Sequence, residues 1–261
     1  MEIPFYHIDA FTSEVFKGNP AGVCLLDHWP EDDALLQRIA AENNLPETAF
    51  TVARGETFAI RWFSPQTEVD LCGHATLAAA FVILCFTNFP GETVSFHSPR
   101  SGPLQVSRKD ELFILDFPSR PAVACEPPAL LSQALGAQPA ETWRAMDYLC
   151  VFASEDEVSS LTPDYSLLKA LDLRGVIVTA PGTSHDFVSR FFAPKVGIDE
   201  DPVTGSSHCT LIPYWQERLQ KTKLQALQVS ARGGELFGAY LGERVSIAGR
   251  AVCFLRGAIT L

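Results

Sequence analysis

Three short stretches hold residues whose types and spacing suit chemistry. The first is Cys72-Gly73-His74, which opens the apolar run 75–86. A helix that begins there leaves its first N–H groups without internal partners. Those groups and the helix dipole favour an anion such as a carboxylate. Gly73 allows a ligand close to the backbone, and His74 could donate a hydrogen bond or relay a proton near neutral pH. The plainer alternative is that His74 caps a buried helix and Cys72 packs as a small hydrophobe.

The second stretch is DEDPVTGSSHC, Asp199 to Cys209, in which three carboxylates precede a Gly-Ser-Ser helix start. It reads as an acidic loop with a serine cap, or as a second anion-binding helix start with a carboxylate that orients a substrate amine or hydroxyl. The third is NLPETAF, residues 44–50, with Glu47 between Pro46 and an apolar strand. Glu47 is either a solvated turn residue or a partly buried carboxyl with a raised pKa, able to take and return one proton. Cys72, His74, His208 and Cys209 could supply thiols and imidazoles to a metal, but their spacing matches no common zinc pattern. No P-loop and no glycine-rich dinucleotide fingerprint is present.

The elements that must position these residues are mostly short strands. Runs rich in Val, Ile and Phe, bounded by Gly, Pro or Asp, mark strands at 5–10, 22–26, 48–53, 58–63, 93–96, 112–117, 149–153, 175–179, 187–192, 228–231, 244–247 and 252–256. Helices are expected at 32–43, with an acidic first turn, and more weakly at 129–135 and 165–171. Two more start at Gly73 and near Gly205. Residues 75–86 are apolar on every side, so that helix must be enclosed by protein, with a sheet curled around it. Pro213 is expected to kink or end the second helix early. The two Gly starts lie about half a chain apart. This hints at two similar halves joined near the proline-rich residues 117–130, although no repeat stands out in the sequence alone.

The 261 residues carry a net charge of −11, which argues against nucleic acid as a partner because phosphate binding needs a basic surface. The first residues lack a signal-peptide pattern, the longest apolar run is too short to span a bilayer, and seven scattered cysteines suit free thiols in a reducing cytoplasm. A cytoplasmic protein without a membrane partner is the expectation.

Taken together, DAFTSEVFKGNPAGVCLL, NLPETAF, RWFSPQTEVDLCGHATLAAA, FVSRFFAPKVGIDEDPVTGSSHC and RGGELFG resemble the phenazine-biosynthesis-like (PhzF-like) isomerase family, in that family's order over nearly the whole chain. The resemblance implies an α+β, diaminopimelate-epimerase-like fold. Two similar domains, 1–118 and 119–261, would each wrap a curled, mostly antiparallel sheet around a central apolar helix, with the site in the cleft between them. The last strand could close either half. The resemblance also implies a homodimer and a reaction without organic cofactor or metal, in which a proton moves between carbons of a small carboxylate-bearing metabolite. Glu47 matches the proton-carrying glutamate, and His74 and Asp201 match the other polar catalytic positions. Gly73, Gly205 and Ser206 match positions that meet a substrate carboxylate, with Asn19 and Cys72 completing the substrate-binding set.

One departure matters. Related epimerases and proline racemases use two cysteines. Cys72 matches the first, whereas Val203 and Thr204 stand where the second is expected. Two other readings stay open: an amino-acid epimerase using Cys72 and Glu47, and a binding module that keeps the pocket without catalysis.

Overall fold

The computed structural model describes residues 2–261, which divide into two compact units. One takes the chain up to Asp116 and then Ala248–Leu261; the other is Phe117–Ile247. The first contains β1 (Glu2–Ala10), β2 (Asn19–Leu26), α1 (Ala34–Asn43), β3 (Glu47–Arg54), β4 (Thr57–Phe63), β5 (Glu68–Val69), α2 (Gly73–Phe86), β6 (Thr93–Ser98), β7 (Gly102–Lys109) and most of β8 (Leu112–Pro118). The second contains β9 (Val123–Ala124), α3 (Leu131–Leu135), β10 (Glu141–Arg144), β11 (Tyr148–Val151), α4 (Glu155–Ser160), α5 (Tyr165–Lys169), β12 (Val176–Pro181), β13 (Phe187–Phe192), α6 (Gly205–Leu219), β14 (Lys223–Gln228), β15 (Gly234–Tyr240) and most of β16 (Arg244–Gly249). The last strand, β17 (Ala251–Thr260), runs antiparallel to β1 and so completes the first unit.

The two units repeat one pairing scheme. In the first, β1/β2 is antiparallel, β2/β3 parallel, β3/β4 antiparallel, β4/β6 parallel and β6/β7 antiparallel. The second runs β10/β11 antiparallel, β11/β12 parallel, β12/β13 antiparallel, β13/β14 parallel and β14/β15 antiparallel. Each parallel pair needs a crossover, and helices supply it: α1 and α2 in the first unit, α4 with α5 and then α6 in the second. Thus α2 and α6 occupy the same place in the two schemes.

Helix α2 is apolar on all sides because strands surround it. It packs against β1, β2, β3, β6, β7 and β17, and every residue from His74 to Ala80 is buried. Four alanines, Ala75, Ala78, Ala79 and Ala80, keep its girth small, so strands can close around it. It ends at Thr87, whose backbone is extended and whose hydroxyl donates to the Ile83 carbonyl at 2.6 Å. Helix α6 is buried along its first eleven residues except Ser206, and emerges into solvent near its end at Glu217 and Arg218. Trp215 stacks flat on Phe187 of β13, with ring centroids 5.6 Å apart, and donates its indole N–H to Thr179 of β12. Gly238 of β15 lets Ile212 come close, since a Cβ there would lie 2.6 Å from the Ile212 Cδ1.

Three expectations change. Pro213 does not end its helix, which continues to Leu219. A proline N–H is missing four residues after Cys209, and the Arg120 backbone N–H takes the Cys209 carbonyl instead, at 2.9 Å. The expected strand at 228–231 is displaced: β14 ends at Gln228, and Ser230 and Gly233 turn the chain into β15. Helix α1 has no acidic first turn, because Asp32 and Asp33 precede it; the Asp32 carboxylate accepts the Ala34 N–H at 2.9 Å. Strands β5, β7, β9, β10 and β15, most of β14, and helix α4 are additional to the sequence reading.

Candidate active site

Glu47 is the first residue of β3. The chain reaches it through Asn44, which ends α1 in the left-handed conformation at φ 50°, and Pro46. Parallel pairing sets Glu47 opposite Ala21 of β2, so Asn19, two residues before Ala21, projects from the same face of the sheet. Both Asn19 and Glu47 are buried. On that face lies the first turn of α2. Its N-cap, Cys72, has extended backbone, and its carbonyl accepts the Thr76 hydroxyl at 2.6 Å.

The structure brings Glu47, Cys72 and His74 into one buried cluster. His74 Nε2 lies 3.2 Å from Glu47 Oε2, and His74 Nδ1 lies 3.5 Å from Cys72 Sγ. Burial by itself pushes the Glu47 carboxyl up. The hydrogen bond and charge of His74, with a further hydrogen bond from Cys72, outweigh it and hold Glu47 below the ordinary carboxylate value. The raised pKa expected for Glu47 is therefore corrected: its neighbours, not its burial, decide the sign. Burial likewise opposes a charge on His74, yet Cys72 and Glu47 keep it well above the ordinary histidine value. Cys72, buried and beside a carboxylate, is pushed up to about 11, so it is a thiol near neutral pH.

The pair is thus a carboxylate base with a protonated imidazole against it. The three donor atoms also lie within 4.8 Å of one another, close enough for a metal ion to bridge. A thiolate ligand would first require loss of the firmly held Cys72 proton.

The other site residues lie in the second unit, at the start of α6. Its N-cap is Thr204, with extended backbone like Cys72. The Thr204 hydroxyl donates to Asp201 Oδ2 at 2.6 Å. Gln228, fully buried, accepts the Thr204 N–H at 2.9 Å and donates to the Asp201 carbonyl at 2.7 Å, locking the turn before the helix. Gly205 is buried, yet a Cβ there would meet no atom within 4 Å, so open space borders the helix start. The Ser206 hydroxyl accepts Arg174 Nη2–H at 3.1 Å, and Arg174 is clamped by the buried Asp147 carboxylate through two hydrogen bonds of 3.0 and 2.6 Å.

His208 and Cys209 turn into their own helix. His208 Nδ1 meets the Thr204 carbonyl at 2.7 Å, and the Cys209 thiol faces the Gly205 carbonyl at 3.8 Å. Burial lowers His208 to about 4, so it is neutral.

Arg174, Asp147 and Gln228 were missed by sequence reasoning. Their contacts join residues 24 to 32 positions apart, and each is an ordinary surface residue by type.

A probable proline racemase from Agrobacterium radiobacter superposes with a TM-score of 0.64 over 99% of this chain and 93% of that one, at 10% identity, a likeness of fold alone. A PhzF-family protein from Enterococcus faecalis superposes with a TM-score of 0.98, at 50% identity over the whole of both chains. Residues 8–257 match the family model described as phenazine biosynthesis-like protein, and the chain belongs to that family. Relatives include "Uncharacterized isomerase PA3578" of Pseudomonas aeruginosa, 53% identical over all of both chains. The human phenazine biosynthesis-like domain-containing protein is 36% identical, also over all of both chains. Among the described residues, no helix is long and apolar enough to cross a membrane.

Proposed function

We propose that this protein is a cofactor-independent isomerase that moves a proton between carbons of a small carboxylate-bearing metabolite. The observation that carries this reading is the buried Glu47–His74 pair, 3.2 Å apart at the first turn of α2. A carboxylate kept ionised by its partner is available as a base throughout the neutral range, although the pairing lowers its own proton affinity. Glu47 takes the proton and returns it to a neighbouring carbon. The imidazolium of His74 steadies the carboxylate while it is charged and can lend a proton to a developing anion. No external proton carrier is needed, because base and acid both belong to the chain. The isomerase names of close relatives support the class.

We assign recognition of the substrate carboxylate to helix starts, where amide N–H groups meet anions: Gly73 on α2, and Gly205 with Ser206 on α6. Asp201 orients the substrate's polar substituent. Homodimerisation belongs to the same proposal.

The contact of Cys72 with the pair favours one second reading, an epimerase in which Cys72 and Glu47 act on opposite faces of a carbon. The raised thiol pKa and the threonine at the matching cap of α6 weigh against it.

The test is incubation in heavy water with a panel of small carboxylates that carry an acidic C–H, read by mass spectrometry. Deuterium entering at carbon, lost in Glu47→Gln, supports the isomerase. Racemised product that disappears in Cys72→Ser supports the epimerase. Carboxylate binding without any exchange points to a binding module and overturns both.

A further inference from the structure

The repeated pairing scheme puts Arg174 in the second unit nearly where Glu47 stands in the first. Glu47 opens β3, the strand that runs parallel to β2, and it touches the second residue of α2, His74. Arg174 lies two residues before β12, the strand that runs parallel to β11, and it touches the second residue of α6, Ser206. We propose that Arg174 is a positioning residue that aims the Ser206 hydroxyl at a carboxylate bound at the first turn of α6. This rests on the assignment of that turn to carboxylate recognition.

The geometry gives the mechanism. A serine hydroxyl can donate one hydrogen bond and accept others. Arg174 donates to Ser206, which occupies a lone pair of the hydroxyl oxygen. This is the only hydrogen bond of the Ser206 side chain among the described residues, so the hydroxyl proton remains for an outside acceptor. The guanidinium cannot swing away. Asp147, 3% exposed, grips Nε and Nη2 as a fork, and the face of Phe191 lies 5.3 Å beneath the guanidinium carbon. The open space beside Gly205 is where the acceptor would sit. The charge of Arg174 is matched by Asp147, so orientation rather than net attraction is its contribution.

Benzoate, with benzamide as its neutral isostere, is the probe, and binding is followed through the backbone amide signals of Gly205 and Ser206 by NMR. Expected in the wild type is a saturable shift with benzoate and none with benzamide. Ser206→Ala weakens binding about tenfold, the scale of one hydrogen bond to a charged group. Arg174→Met weakens it by a similar factor, and the double variant is no worse than either single one, since Arg174 acts through Ser206.

Arg174→Met strands the buried Asp147 carboxylate, so Arg174→Lys serves as the variant that keeps a cation there. A single ammonium cannot both fork onto Asp147 and reach Ser206, and the expected loss is the same while melting temperature holds. Unchanged affinity in Arg174→Lys, or losses that multiply in the double variant, overturns the positioning role and leaves the proposed function intact. Absence of any benzoate shift at α6 in the wild type overturns both the carboxylate assignment and this inference, while the heavy-water exchange at Glu47 stays separately testable.

Discussion

The two helix starts share a backbone and differ in chemistry. Each follows an extended N-cap, Cys72 or Thr204, then a glycine, and each cap carbonyl is taken by a side chain within the next turn. At the second helical position, the first unit pairs an imidazole with a carboxylate, and the second pairs a hydroxyl with a clamped guanidinium. The first couple holds a carboxylate that can accept a proton from a substrate and an imidazolium that can give one; the second can do neither, because guanidinium does not release its proton and a serine hydroxyl does not ionise. One scaffold thus presents a proton-handling tip and an orienting tip. The bodies differ as well: α2 exposes only Cys85 near its end, whereas α6 ends in an exposed turn at Glu217, Arg218 and Leu219.

If the division is right, damage to the two tips should look different. Glu47→Gln should cost about a hundred- to ten-thousand-fold in the rate of deuterium exchange, the usual span for a general base, and Ser206→Ala only about tenfold, mostly in KM. Equal losses in turnover would erase the distinction.

His74→Gln should lower stability by about 3–5 kcal/mol, because it leaves the buried Glu47 charge without its partner. The sign of the pH dependence follows from both partners. The lowered Glu47 pKa contributes stability above the ordinary glutamate value of 4.5 and loses it as pH falls through the folded value. The raised His74 pKa contributes in full below the ordinary histidine value of 6.5 and loses it as pH rises through the folded value. Chemical denaturation across pH should therefore show the gap between wild type and His74→Gln greatest between pH 4.5 and 6.5.

A smaller effect sharpens the second tip. Gln228→Leu removes the hydrogen bonds to Thr204 and Asp201, and should cost about 1–3 kcal/mol by denaturation and weaken carboxylate binding at α6, with exchange chemistry at Glu47 unchanged. Smallest of all, Cys72→Ser should slow exchange by well under a hundredfold, since Cys72 neighbours the pair without carrying the proton. A loss as large as that of Glu47→Gln would favour the epimerase.

Much of this division is legible in the sequence. The all-round apolar pattern of 75–86 points to a helix buried over most of its length, and β13 appears where its Val and Phe run placed it. Glu47 falls in one family motif and Cys72 and His74 in another, and the three side chains meet in one cluster. The sign of the Glu47 shift was not legible, because burial and pairing oppose each other and only the distance to His74 decides between them. Nor was the continuation of α6 through Pro213, which depends on an N–H from Arg120, far away along the chain. The orienting tip was half visible: Gly205 and Ser206 carry a motif, while Arg174, Asp147 and Gln228 gain meaning only from the strands that bring them to the helix. The duplication itself left a trace in two glycine starts, and its full form shows only in the order of parallel and antiparallel pairs.

The most direct test of the central claim is an NMR titration of the Glu47 side-chain carboxyl carbon in wild type and His74→Gln. The expected result is a wild-type midpoint below 4.5 that moves upward when His74 is replaced, as burial goes unopposed. A wild-type midpoint at or above 4.5, unmoved by the substitution, would contradict the account of Glu47 as a base held ready by its histidine.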